Sequence, residues 1–111
     1  MTHPLRLFVI VLAAVLLSGC STVRIGRDFD LTAFTARVER GATSQAEVRS
    51  WLGDPESTGV NLGVDGQRYE EWGYFHAEGR LGDTGNARLK QLQIKFGSDG
   101  KVRGYNYSNT Q

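Results

Sequence analysis

The segment from Gly41 to Pro55 constrains the fold most, because a helix start, an apolar stripe and a helix stop are all written into it. Ser44 and Glu47 stand at capping-box spacing: the serine oxygen takes one orphan amide and the glutamate reaches back to another. Val48, Trp51 and Leu52 then share one helical face, while Gln45, Arg49 and Ser50 take the other. Gly53 suits the left-handed residue that ends a helix, and Pro55 forbids continuation. A short helix with one apolar side cannot stand alone in water, so it needs a surface to lie on.

That surface is expected downstream. Residues 68–76 alternate, with Trp72 and Tyr74 on one face and Tyr69, Glu71 and Phe75 on the other. Residues 88–96 alternate as cleanly, Leu92, Ile94 and Phe96 against Gln91, Gln93 and Lys95. Gly97-Ser98-Asp99-Gly100 fits a tight turn whose last glycine is left-handed. Counting back from it places Phe96 opposite Val102, Ile94 opposite Gly104, Gln93 opposite Tyr105 and Gln91 opposite Tyr107. This register sends Tyr105 and Tyr107 away from the helices, to join Tyr69, Phe75 and Arg103 on an outer face rich in aromatic and arginine side chains, a composition suited either to binding another protein or to cross-strand aromatic pairs that stabilise a half-exposed sheet.

Upstream, Leu31, Phe34 and Val38 recur at helical spacing between a capping Asp30 and a terminating Gly41, which predicts a first helix over residues 30–40. Residues 21–29 read as a tether or a short edge strand. The glycine-containing stretches 56–67 and 77–86 read as a linker and a long flexible loop. The expected architecture is therefore α+β: two short N-terminal helices on a three-stranded antiparallel meander.

The chain opens with a basic region ending at Arg6 and an apolar run of 11 residues, Leu7 to Leu17. A spanning helix needs about 20 such residues, so the run suits a signal peptide instead. It ends in Leu17-Ser18-Gly19-Cys20, which matches the bacterial lipobox at each position. Small residues at Ser18 and Gly19 let a peptidase approach the backbone, and the Cys20 thiol can take a diacylglyceryl group in thioether linkage. Cleavage between Gly19 and Cys20 divides the chain into a signal (1–19), a lipidated cysteine with tether (20–29) and a folded domain (30–111). Three acyl chains, two on sulfur and one on the amino group, give firm membrane attachment. Ser21, in place of an aspartate, resembles the signal for transfer to the outer membrane, with the domain facing the periplasm.

Chemistry finds few materials here. The chain has one cysteine, and a single histidine, His76, follows the signal. No triad, Cys-based zinc site or internal disulfide can be assembled from them. Glu70 and Glu71 are neighbours in a strand and so point to opposite faces. His76, near a strand end, reads as solvated. Side chains carry 13 Lys and Arg against 12 Asp and Glu, and loss of Arg6 with the signal leaves a neutral domain with no bulk attraction for nucleic acid. The expected protein is non-enzymatic and carries no cofactor beyond the covalent lipid.

The order Gly41, Thr43, Ser44, Glu47, Val48, Leu52, Gly53 and Pro55, followed by Trp72-x-Tyr74 and then Phe96, Gly100 and Val102, resembles the SmpA/OmlA, or BamE-like, family of outer-membrane lipoproteins. The likeness spans residues 30 to 107 and agrees with the helix and sheet arrangement above. It implies an accessory, protein-binding subunit in outer-membrane protein assembly or envelope integrity, with the β-barrel assembly machine as partner. Family members of that machine carry a proline-containing, Tyr- and Gln-rich stretch where this chain has Arg24-Ile25-Gly26-Arg27-Asp28-Phe29. Two other readings stand beside it: a periplasmic binding module or inhibitor similar in fold to the β-lactamase inhibitors, and a purely structural envelope lipoprotein.

Overall fold

The computed structural model describes Arg6, residues 8–11 and residues 22–110, Thr84 by its backbone only. Cys20, Gly19 and most of the apolar run lie outside the described residues. Arg6 and residues 8–11 are helical, and no helix among the described residues is long and apolar enough to cross a membrane.

Five antiparallel strands form one sheet: β1 (Thr22–Ile25), β2 (Ser57–Leu62), β3 (Arg68–Arg80), β4 (Asp83–Phe96) and β5 (Val102–Thr110). This corrects the expected three-stranded meander. β3, β4 and β5 follow one another as a meander, and the two extra strands share the free edge of β3. β2 pairs with residues 68–73, β1 with residues 77–80. β2 was read as linker because its side chains are nearly all exposed, so no buried face imposes an alternation on its sequence; backbone pairing holds it, with one side-chain bond from Asn61 to Glu71. The glycine-rich residues 77–86 are likewise no loop. They continue β3 and β4 to a two-residue turn, Leu81-Gly82, with Gly82 left-handed (φ 85°).

Two helices, α1 (Leu31–Arg37) and α2 (Gln45–Leu52), lie on one face of the sheet. Asp30 caps α1 by accepting from the Ala33 amide at 3.0 Å. The helix stops at Val38, earlier than expected, where the backbone becomes extended; Gly41 (φ 80°) serves the turn that follows. In α2 both halves of the capping box are present: the Glu47 amide donates to Ser44 Oγ at 3.1 Å, and the Ser44 amide to Glu47 Oε1 at 3.3 Å. Gly53 ends the helix with a positive φ of 81°, a backbone that favours glycine, though its ψ of −168° is extended rather than that of the left-handed helical cap the sequence predicts.

The core joins Phe34, Val48 and Leu52 from the helical layer to Trp72, Tyr74, Leu92, Ile94, Phe96 and Val102 from the sheet. Trp51 is only partly buried against it. Phe29, expected at the end of a tether, is also core: its ring lies 5.6 Å from that of Tyr74. Loop 41–43 holds the first residue of β5 from the side, since the Gly41 amide donates to Val102 O at 2.7 Å and Thr43 O accepts from Val102 N at 2.9 Å.

Candidate functional site

The β4–β5 turn forms as expected: the Gly97 amide donates to Lys101 O at 2.9 Å, Gly100 is left-handed, and Phe96 pairs with Val102. Beyond that pair the register departs from simple counting. A bulge at Arg103 and Gly104 shifts β5 by one residue, so Ile94 faces Tyr105, Gln93 faces Asn106 and Leu92 faces Tyr107. A one-residue slip carries every following side chain to the other face. Tyr105 and Tyr107 therefore stand on the helix side, where Tyr105 meets Phe34 edge to face at 5.1 Å and stacks on Tyr107 at 6.4 Å. Gly104 was the available signal, because an isolated glycine inside a strand marks a bulge.

The expected outer face is accordingly split. Tyr69 and Arg103 remain together beside Gln93 and Lys95, and Phe75 lies farther along the outer face; the rings of Tyr105 and Tyr107 have turned to the helix side, although Tyr105 still borders the groove described next. What the strands do build there is an open groove of about 650 Å³ between the β2–β3 turn and β5, with Asp65, Tyr69, Glu71, Lys95, Arg103 and Asn106 in its walls. Tyr69 Oη donates to Asp65 Oδ2 at 2.5 Å, and Lys95 Nζ sits 5.2 Å from the Tyr69 ring centroid. That phenol bond, with the Gln67 amide, holds Asp65 below the ordinary carboxylate range, and the same carboxylate pushes Tyr69 up. Asn61 donates to Glu71 Oε1 at 2.8 Å, and Arg103 pairs with Asp99 at 3.1 Å. The groove thus offers an aromatic ring flanked by fixed charges of both signs.

Glu70, His76, Asp28 and Lys90, by contrast, are engaged in the fold. Glu70 and Glu71 point to opposite faces, as strand geometry requires: Glu71 to the groove, Glu70 to Gln45 Nε2 at 2.9 Å and Trp72 Nε1 at 3.1 Å. Those two donors lower the Glu70 pKa. His76 is buried rather than solvated, because β3 runs on past it to Arg80 and turns it inward. Its Nδ1 lies 3.2 Å from Gly26 O and its Nε2 3.7 Å from Glu78. Lys90 pairs with Asp28 at 2.5 Å, and that bond is the main cause of a lowered Asp28 pKa. Among the described residues no three His, Cys, Asp or Glu side chains are grouped so as to hold a metal ion.

No family model matches the chain, and no curated protein or solved structure does so either.

Proposed function

We propose that this chain is an outer-membrane lipoprotein, acylated on Cys20, whose periplasmic domain is a non-catalytic binding subunit for an envelope protein. The observation that carries the reading is the lipobox, Leu17-Ser18-Gly19-Cys20, placed directly behind an apolar run too short to span a bilayer. The groove around Tyr69, Lys95 and Arg103 supports the binding role, because an aromatic ring flanked by both charge signs can hold a polypeptide segment through apolar contact and ion pairs together. The likeness of the Gly41 to Pro55 segment to the SmpA/OmlA family supports a place in outer-membrane protein assembly, with the β-barrel assembly machine as partner.

Crosslinking in intact cells followed by affinity capture tests it. Wild-type protein should incorporate labelled fatty acid and capture barrel-assembly subunits; Cys20→Ala should lose the label, and Tyr69→Ala with Lys95→Glu should lose the partner while keeping the label. Absence of label from the wild type would overturn the anchor. Unchanged capture by the double variant would remove the groove as the contact surface.

A further inference from the structure

The second distinctive surface lies at the other end of the sheet. β1 pairs with the far end of β3 in the register Thr22↔Arg80, Val23↔Gly79, Arg24↔Glu78 and Ile25↔Ala77, so its first residue is level with the β3–β4 turn. Because paired residues share a face, Val23, Ile25, Phe75, Ala77 and Leu89 all stand on the side away from the helices. Ala87 joins them, lying against the position a Gly79 side chain would occupy. This half of the outer face carries no charged side chain along those pairs, and Val23 and Ile25 are 40% and 57% exposed. Leu81, at the turn itself, is 71% exposed. The opposite face of the same region is polar: Arg24 pairs with Glu78 at 3.5 Å, and Arg80, Asp83 and Arg88 surround a shallow depression beside Thr22.

Cys20 precedes Thr22 by two residues, a separation that the backbone can stretch to at most about 7 Å. An acyl anchor on Cys20 therefore delivers the bilayer to the end of the sheet where the apolar face and Leu81 are exposed. β1 is also no free tether. It is hydrogen-bonded into the sheet and locked behind Gly26, whose left-handed backbone passes against the Phe75 carbonyl.

We propose that this end of the domain is a membrane-contact surface: Leu81, Val23 and Ile25 enter the headgroup and acyl-chain boundary beside the Cys20 lipid, while Arg80 and Arg88 on the opposite face reach lipid phosphates. The proposal rests on the reading of Cys20 as the acylated residue. Its consequence is a fixed orientation. The groove around Tyr69 lies toward the other end of strands about 40 Å long and is held out into the periplasm. Amphipathic surfaces of this kind bury their apolar side only about 5–10 Å into the interface, so contact should be confined to the hairpin end.

The test uses the full-length acylated protein in vesicles of phosphatidylethanolamine and phosphatidylglycerol. An environment-sensitive fluorophore is placed by Leu81→Cys, Ile25→Cys, Gln93→Cys or Ser98→Cys, and emission is read with a quencher carried on the lipid acyl chains and with iodide in the water. Labels at positions 81 and 25 should lose at least about half their emission to the lipid-borne quencher and resist iodide, as expected for burial at that depth. Those at 93 and 98 should show the reverse. Accessibility of all four labels to iodide on vesicle-bound protein would overturn the contact surface and leave the anchor standing. Shielding of 81 and 25 from both quenchers would also overturn it, assigning the face to a protein partner or a second copy. Failure of the wild-type chain to carry fatty acid and to bind vesicles would overturn the anchor and the contact surface together.

Discussion

The Phe34 ring meets the Tyr105 ring edge to face, with centroids 5.1 Å apart and planes at 89°. This contact joins α1 to β5, strands and helix that have no other aromatic link among the described residues, and it exists only because the bulge at Arg103 and Gly104 turns Tyr105 inward. Tyr105 is thus a boundary residue between core and solvent, 37% exposed, and Tyr107 beyond it is 53% exposed.

From that position Tyr105→Ala should cost about 1–3 kcal/mol, combining the lost aromatic pair with lost apolar burial. Tyr107→Ala should cost less, near ~0.5–1 kcal/mol, since it supports the fold chiefly by stacking on Tyr105. Urea unfolding followed by tryptophan fluorescence checks the order. Equal, negligible losses at both positions would place the tyrosines on the outer face after all.

Gly26→Ala should loosen β1 selectively. A left-handed alanine costs roughly 1–2 kcal/mol, and its Cβ would collide with the Phe75 carbonyl oxygen. Relief requires moving the Gly26 carbonyl away from the His76 ring as well. Hydrogen exchange should show amides of Val23 to Ile25 losing protection while Leu92 and Ile94 keep theirs. Uniform loss across the sheet would mean that β1 is integral to global folding rather than a local latch.

Tyr74 should make the fold sensitive to alkali. Its hydroxyl donates to Gly53 O at 2.8 Å, and burial, aided by the charge of Asp54, raises its pKa from the ordinary 10.0 to about 12. Below the lower value both folded and unfolded chains hold the proton. As pH rises from 10.0 to about 12 the unfolded chain releases it first, so stability falls through that window and levels off above it. Tyr74→Phe removes this component. Its stability should be lower than wild type near pH 8 by about 1 kcal/mol for the lost hydrogen bond, yet decline less toward about pH 11. Parallel pH profiles for the two proteins would contradict the assignment.

Helix α2 was legible in the sequence in full because everything that makes it lies within a few residues: Ser44 reaches Glu47, the apolar stripe repeats every three or four positions, and Gly53 ends it. The inner faces of β3 and β4 were legible for a related reason, since burial of Trp72, Tyr74, Leu92, Ile94 and Phe96 on one side imposes a period of two. The β4–β5 turn, too, is local chemistry. Tertiary structure alone decided the number of strands and the faces of β5. β2 joins the sheet mainly through backbone groups, which every residue carries, so its exposed side chains hold little record of the pairing, and for residues 21–29 the sequence left tether and edge strand both open until the pairing with β3 decided it. The same holds for residues 77–80 and 83–86, whose glycines resemble a loop until β1 and the turn at Leu81-Gly82 give their amides partners. At Arg103 and Gly104 the strand gains one residue because Val102 is held by loop 41–43 while Tyr105 packs on Phe34. Both constraints come from segments far away in the chain, Gly41 and Thr43 for Val102 and Phe34 for Tyr105. That single inserted residue decided the face of the β5 side chains after it, which is why Tyr69 and Arg103 stand on the outer face the sequence assigns them while the rings of Tyr105 and Tyr107 do not.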